Sequence, residues 1–363
     1  MSLWPDRRIL DLFGIELPII QAPMAGNTTP QMVIAVSAAG GLGSLPCAQY
    51  SPAQARAALA EIRAATARPI ALNFFCHTPP SPDPVRAQAW RAILAPYYAE
   101  LGLPPETPTP ESGRAPFDEN FCELVEESRP PVVSFHFGLP TPPLLARVKA
   151  SGAKIISSAT TVAEALFLER HGCDAVIAMG LEAGGHRGSF LSTDMSRQIG
   201  TFALVPQIAD AVKIPVIAAG GIADARGLVA ALALGAAAVQ IGTAYLFSPE
   251  AKISPLHLQA LTSAGDSDTV LTNLFTGRPA RGILNRLIRE LGPLSDLPPA
   301  FPLAGGALVP LREIAEPLGS ADFTHLWSGQ AARLARPLPA GEFTRRLAQE
   351  ALRRLNLDCA ALT

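Results

Sequence analysis

The chain has 363 residues, is 48% hydrophobic and 17% charged, and carries a formal net charge of −2, with its 29 lysines and arginines scattered rather than clustered. That balance excludes a basic nucleic-acid face and an anionic-membrane anchor, and fits a globular protein that handles a small neutral or anionic molecule. The length equals two average domains, but barrels of about 250 residues are common as one unit, so one barrel with a helical addition is expected.

In chain order, β-prone runs alternate with helical stretches. The first run, residues 18–23, leads into Gln21-Ala-Pro-Met-Ala-Gly26 and a helix over 30–39; the second, 42–45, precedes a helix over 52–66. The third, 69–75, is very apolar and holds one amide, Asn73. Pro79-Pro-Ser-Pro-Asp-Pro84 then opens an insertion over about 79–130, with helices around 85–101 and 117–128 and a proline-rich loop over 103–116. Excursions of that length at a strand end are usually lids or substrate walls. Runs over 132–136, 154–158, 175–179, 215–218 and 238–241 complete a set of eight, with a helix over 161–171 after the fifth, N-capped by Thr160 or Thr161. This alternation is that of βαβ units, and eight parallel strands close an α/β fold into a (β/α)8 TIM-type barrel. Residues 1–250 form the barrel, and 251–363 a helical extension covering the site, with helices over 254–263, 278–291, 310–318 and 331–355.

One stretch, 228–247, is apolar enough to resemble a membrane span, with Gln240 its only strongly polar member. Gly235 divides it into an Ala/Leu half of helical composition and a β-prone half, which is how a buried helix-to-strand crossover reads. The five cysteines, Cys47, Cys76, Cys122, Cys173 and Cys359, are odd in number and form no C-x-x-C pair. Together with the lack of a signal-peptide apolar run, they indicate reduced thiols and a cytoplasmic protein. Proline, 35 residues, is about twice its usual ~5% share and falls at segment edges, marking stiff loops rather than disorder.

Two motifs carry the chemistry. Gly180-Leu-Glu-Ala-Gly-Gly-His-Arg-Gly188 closes an apolar strand and delivers His186 on a glycine-rich turn. An imidazole there titrates near neutrality and can take or hold a proton at a carbon acid. Downstream, Gly220 and Gly221, the helix starting near Asp224, and Gly242-Thr243 form the phosphate cup of the last two strands of a barrel. Pro23 holds the end of the first strand stiff along a flat ring, and Asn73 offers an amide to a pyrimidine edge. Together these features indicate a flavin enzyme. His136, at the end of strand four, occupies the same relative place as His186, and substrate contact and packing are both open for it. His77 reads as structural, His171 and His257 as surface or helix residues, and His325 as part of the tail. H-E-x-x-H, Cys/His ligand spacing, G-x-S-x-G, a Walker A loop and G-x-G-x-x-G do not occur, so metal sites, serine hydrolysis, P-loop chemistry and Rossmann binding are not expected.

The elements Gln21-Ala-Pro-Met-Ala-Gly26, Gly40-Gly-Leu-Gly43, Asn73-Phe-Phe-Cys-His77, Val132-Val-Ser-Phe-His-Phe-Gly138, the His186 turn, Ala219-Gly-Gly-Ile222, Gln240-Ile-Gly-Thr243 and Leu326-Trp-Ser-Gly-Gln330 resemble the nitronate monooxygenase family, its class I members in particular. The resemblance implies non-covalent FMN. Ala22, Pro23 and Met24 would line its ring system, Asn73 would bind it, and Gly184 would lie beside it. Gly220, Gly221, Gln240, Ile241, Gly242 and Thr243 would surround its phosphate, with His186 the catalytic histidine and His136 a second imidazole. Many class I members have Gln where this chain has Met179, so a flavin hydrogen bond is lost or replaced there. The implied reaction is oxidation of an alkyl nitronate, with propionate 3-nitronate the natural guess, by dioxygen to a carbonyl compound and nitrite. The nitronate charge would be held by His186 and His136 in a monomer or homodimer. Barrels of similar sequence are flavin-dependent NAD(P)H reductases of the enoyl-ACP and quinone types, and a flavin-binding protein without catalysis is a third reading.

Overall fold

The computed structural model describes residues 4–110 and 114–360, with side chains to residue 355. Its strands are β1 (Ile19–Gln21), β2 (Gly43–Pro46), β3 (Ile70–Phe75), β4 (Val132–His136), β5 (Lys154–Ala159), β6 (Ala175–Met179), β7 (Gly185–His186), β8 (Val216–Ala219), β9 (Ala238–Ile241), β10 (Thr269–Thr272) and β11 (Ala280–Ile283). Eight of them pair in parallel in the order β1-β9-β8-β6-β5-β4-β3-β2. The ring closes where Ile20 bridges Leu42, with the Leu42 amide on the Ile19 carbonyl and the Gln21 amide on the Leu42 carbonyl, both at 2.9 Å. These strands are apolar along nearly their whole length because they are buried on both faces, inward against each other and outward against helices. The (β/α)8 expectation holds.

The helices start where the sequence supplies acceptors. Thr29 takes the Met32 amide ahead of Pro30, Ser51 and Gln54 form a reciprocal capping box, and Thr161 takes the Glu164 amide. The apolar stretch 228–247 splits as its Gly235 requires: helix Ala225–Ala233, then a turn at φ 96°, then β9. Among the described residues no helix is long and apolar enough to cross a membrane.

Two tail elements differ from expectation. The helix expected over 278–291 is instead β11 followed by a short helix, Arg286–Leu291. β11 is strand because it has partners on both sides, pairing antiparallel with β10 and with β7, the strand that carries His186. The helix expected over 331–355 begins only at Ala340, after Pro337 and Pro339, and a single 3-10 turn (Ala332–Leu334) precedes it. From there Ala340–Ala360 buries Ala340, Phe343, Leu347, Ala348 and Ala351 against helices Pro30–Ala38 and Ala225–Ala233. That is the position of the barrel's eighth helix.

The insertion and the tail together roof the barrel. Trp90 and Tyr98 of the insertion donate to the carbonyls of Ala304 and Ala307 at 3.2 and 2.6 Å, within an apolar cluster shared with Leu274, Leu287, Leu311 and Phe323. Among the described cysteines, Cys47, Cys122 and Cys173 are buried and Cys76 half-buried, all as thiols, and burial pushes Cys47 and Cys173 up to about 12. Cys359 lies outside the described side chains.

The loop after the His186 turn is anchored by a buried carboxylate. Glu164 accepts from the Thr160 amide and hydroxyl (2.7 and 2.8 Å) and from the amides of Phe190 and Leu191 (2.6 and 3.1 Å). Removing it strands four donors, so Glu164→Ala is expected to cost about 3 kcal/mol in denaturant unfolding. Glu164→Gln, which keeps one acceptor oxygen, is expected to fall between.

Candidate active site

A cleft of about 1340 Å³, its open mouth included, lies at the C-terminal ends of the barrel strands. Phe75, His136, Met179 and Ala219, the last residues of β3, β4, β6 and β8, all line it. So do Ala22, Pro23 and Met24 on the loop after β1, Asn73 within β3, Gln240 within β9, and Gly184, His186, Gly220, Gly221, Gly242 and Thr243. Among the residues named in the sequence as catalytic or flavin-binding, only Ile241 lies outside the lining. It is buried in the barrel wall, and its carbonyl accepts the Ala22 amide at 2.8 Å.

One end of the cleft is an amide cradle. Gly220 and Gly221 take φ of 108° and 71°, backbone that a side chain rarely adopts. The amides of Gly221, Ile222, Ala223 and Thr243 find no acceptor among the described residues. The helix N-termini beside it are already occupied, which corrects the sequence expectation. Asp224 takes the Arg226 and Gly227 amides of its own helix at 2.9 and 3.4 Å, and Glu182 takes the Thr201 amide and hydroxyl, both at 2.8 Å. The cup is therefore loop amides plus the Thr243 hydroxyl, whose oxygen accepts from the Gly329 amide at 2.9 Å and whose proton remains for a ligand. Neutral donors converging without a protein acceptor suit a phosphate, so this end fits the phosphate of a flavin nucleotide. Further along, Asn73 donates Nδ2 to Ser134 Oγ at 2.7 Å, leaving Oδ1 for a ring edge. Met179 brings only a thioether to the wall, while its carbonyl accepts from the buried Arg187 at 2.8 Å.

The other end holds the imidazoles. His136 Nε2 donates to the His186 carbonyl at 3.2 Å and Nδ1 accepts from Ser158 Oγ at 2.7 Å, so both nitrogens are satisfied by protein. His186 Nε2 lies 2.9 Å from Thr276 Oγ1, which itself donates to the Arg278 carbonyl at 3.3 Å. Assigned from that network, His186 carries its proton on Nε2 and keeps Nδ1 as a lone pair with no protein partner among the described residues. Rings enclose it: Phe301 at 5.3 Å, Trp327 at 5.5 Å, Phe137 at 6.1 Å and Phe75 at 6.3 Å.

Both histidines are held neutral. Burial, then the charge of Arg114, then His136 and Arg278, drive His186 well below its usual 6.5; burial followed by Arg278 pushes His136 down to about 3. The expectation that they hold a substrate's negative charge is therefore corrected, because neither is cationic near pH 7. The same shifts fix a sign for stability. The unfolded histidines bind protons below about 6.5 and the folded ones do not, so stability is full above 6.5 and falls as pH drops toward 3. Acid titration of Tm is expected to show this loss in that window, and to show less of it in His136→Gln.

Sequence reasoning missed several neighbours. Thr276, Phe301 and Arg278 lie in the tail beyond the barrel motifs, and Arg114 is a lone cation in a proline-rich loop; none carries a local signal. Trp327 was within reach through the Leu326-Trp-Ser-Gly-Gln330 match. His257, read as a surface or helix residue, is on a helix but buried, and donates to the Trp327 carbonyl at 3.0 Å. His325 is packed 5.5 Å from the Trp327 ring, and His77 4.8 Å edge-on to Phe301. His171 stays outside, stacked 3.9 Å from Phe167.

A (β/α)8 barrel whose mouth joins an anion cradle, a flat-ring slot and one neutral imidazole defines a flavin-dependent oxidoreductase. Residues 6–350 match the family model described as nitronate monooxygenase, and the chain belongs to that family. It is 42% identical to the nitronate monooxygenase of Pseudomonas aeruginosa over 94% of this chain and 98% of that one. It is 41% identical to the nitronate monooxygenase of Paraburkholderia phytofirmans over 95% and 94%. Among solved structures, a nitroalkane oxidase from Streptomyces ansochromogenes superposes with a TM-score of 0.87 at 39% identity, covering 96% of this chain and 99% of that one. FabK from Thermotoga maritima superposes at 0.71 with 28% identity and 98% coverage of both chains.

Proposed function

We propose that this chain oxidises alkyl nitronates with dioxygen to a carbonyl compound and nitrite, using FMN held in the cleft, with propionate 3-nitronate the first substrate to test. The observation that carries the reading is the placement of the His186 lone pair in the same cleft as the amide cradle, in a chain that matches the family along nearly its whole length. FMN, when bound, supplies the redox chemistry between nitronate and dioxygen. The residues do the rest. The amides of Gly221, Ile222, Ala223 and Thr243 hold the phosphate, with Gly220, Gln240 and Gly242 around it and Ile241 backing the wall. Ala22, Pro23, Met24, Met179 and Gly184 flank the ring, and Asn73 Oδ1 meets its edge.

His186 Nδ1 is the base for the carbon-bound proton of a neutral nitroalkane, which leaves the nitronate in the cleft, while a pre-formed nitronate needs no such step. His136 acts through its bond to the His186 carbonyl, as a positioning residue. Phe75, Phe137, Phe301 and Trp327 keep bulk water from the reacting carbon. The enzyme works on free small molecules, as a monomer or homodimer, in the cytoplasm.

Oxygen uptake and nitrite release with pre-formed propionate 3-nitronate, in the absence of nicotinamide, test the reading; no uptake sinks it. The likeness to FabK favours a reductase as the second reading, which requires turnover with NADH and none with nitronate. Because His186 stays neutral, kcat/KM for the nitronate is expected to be flat between about pH 6 and 8, and a limb near the ordinary histidine value of ~6.5 contradicts the assignment.

A further inference from the structure

With both imidazoles neutral, the cleft still has to receive an anion. Among the described residues Arg114 is the only lysine or arginine that lines it. Among the described residues the one carboxylate in the lining, Glu182, belongs to the opposite, cradle end, where Thr201 occupies it. The other cations at this end are engaged within the protein, although Arg278 Nε has no partner among the described residues. Arg312 pairs with Glu316 at 3.3 Å and lies 3.3 Å from His325 Nδ1, while Arg278 sits 3.9 Å over the Phe137 ring and donates to the Ser189 carbonyl. The Arg114 backbone is hydrogen-bonded to His77, but its guanidinium makes no ion pair or hydrogen bond among the described residues, and its neighbours by charge are Arg312, His77, His186 and His325, none of them an acid. A guanidinium has five N–H donors and cannot shed its charge in a protein; drawn out of water with no acceptor it is a standing cost, relieved when an anion arrives.

We infer that Arg114 binds the negative charge of the substrate and thereby sets the preference for the ionised nitronate over the neutral nitroalkane of the same carbon skeleton. This rests on the nitronate reading above. The nitronate's two oxygens share its charge in one plane, the shape a guanidinium grips with two parallel hydrogen bonds. A neutral nitroalkane gains much less from the same fork. His186, offering a lone pair, repels the anion and favours the carbon acid, so the two residues pull selectivity in opposite directions.

The experiment uses the flavin-loaded protein as purified, with Arg114→Leu and Arg114→Lys. Loss of a charged hydrogen-bond pair is expected to raise KM for ethyl nitronate about ten- to a hundredfold in Arg114→Leu, and KM for nitroethane less than about twofold. Arg114→Lys is expected to lie between. If the ratio of the two KM values stays within twofold of wild type, the inference is overturned. A readout without turnover separates it from the functional reading: sodium nitrate, a planar anion, should raise the melting temperature of wild type but not of Arg114→Leu. Equal stabilisation of both proteins, or of neither, overturns the inference. A nitrate shift lost in Arg114→Leu, in a protein that oxidises no nitronate, upholds the anion site and refutes the reaction instead.

Discussion

Replacing His186 with Ala is expected to lower kcat/KM for a neutral nitroalkane by about a hundred- to ten-thousandfold, the range of a lost proton-transfer group, while the purified protein keeps its yellow flavin. The separation follows from the geometry. The cradle amides of Gly221, Ile222, Ala223 and Thr243 lie at the far end of the cleft and do not touch the imidazole, whereas His186 faces the space between Phe75, Phe301 and Trp327. Oxygen uptake gives the rate, and visible absorbance gives the occupancy. If occupancy falls in step with activity, His186 is a structural member of the flavin pocket and its catalytic assignment fails. If neither falls, the reaction does not pass through this imidazole at all. Thr276→Val provides an independent check: it removes the acceptor that keeps the proton on Nε2, so it should depress kcat in the same direction by a smaller factor, and leave the flavin in place.

The barrel was legible because its signals are local. Each strand is a short apolar run, and each helix start carries its own acceptor at Thr29, Ser51, Thr161 or Asp224, so nothing distant had to be known. The His186 turn and the glycine pair at 220–221 were legible for the same reason. What was lost lies where the partner is far along the chain. Residues 280–283 are strand because they pair with β10 on one side and, on the other, with His186 and Gly185, some ninety-five positions earlier; read alone, the segment running into Leu291 has a helical apolar pattern. Arg114 is one cation in a proline-rich loop until the fold sets it beside three histidines and, among the described residues, no acid. Helix caps were misjudged in the opposite sense. The sequence at 221–227 promised helix amides to an anion, but Asp224 is a better and nearer acceptor for its own helix.

Within the His186 turn, the two adjacent glycines separate backbone strain from close packing, and the expected order of their effects runs against the backbone angles. Gly185 has φ of 72°, yet a Cβ built there meets nothing within 4 Å; Gly184 has no such angle, but its Cβ would lie 2.4 Å from the Gly329 nitrogen and 2.6 Å from the Ser328 carbonyl carbon. Gly185→Ala should therefore cost about 1 kcal/mol, the strain of a left-handed residue. Gly184→Ala should cost more, about 1–3 kcal/mol, because two backbones must part.

The site would move with them. The Gly329 amide is bonded to Thr243 Oγ1 in the cradle, and Trp327, two residues upstream, faces His186 at 5.5 Å. Pushing Ser328 and Gly329 away opens the cradle and the water-excluding wall together. Gly184→Ala is thus expected to purify with markedly less flavin than wild type and to lose activity beyond what its occupancy explains, while Gly185→Ala keeps its flavin. Melting temperature and flavin-to-protein ratio, measured on both variants, test this. If Gly185→Ala proves the more damaging on both counts, the turn is governed by its own dihedral angles and not by the tail segment laid against it.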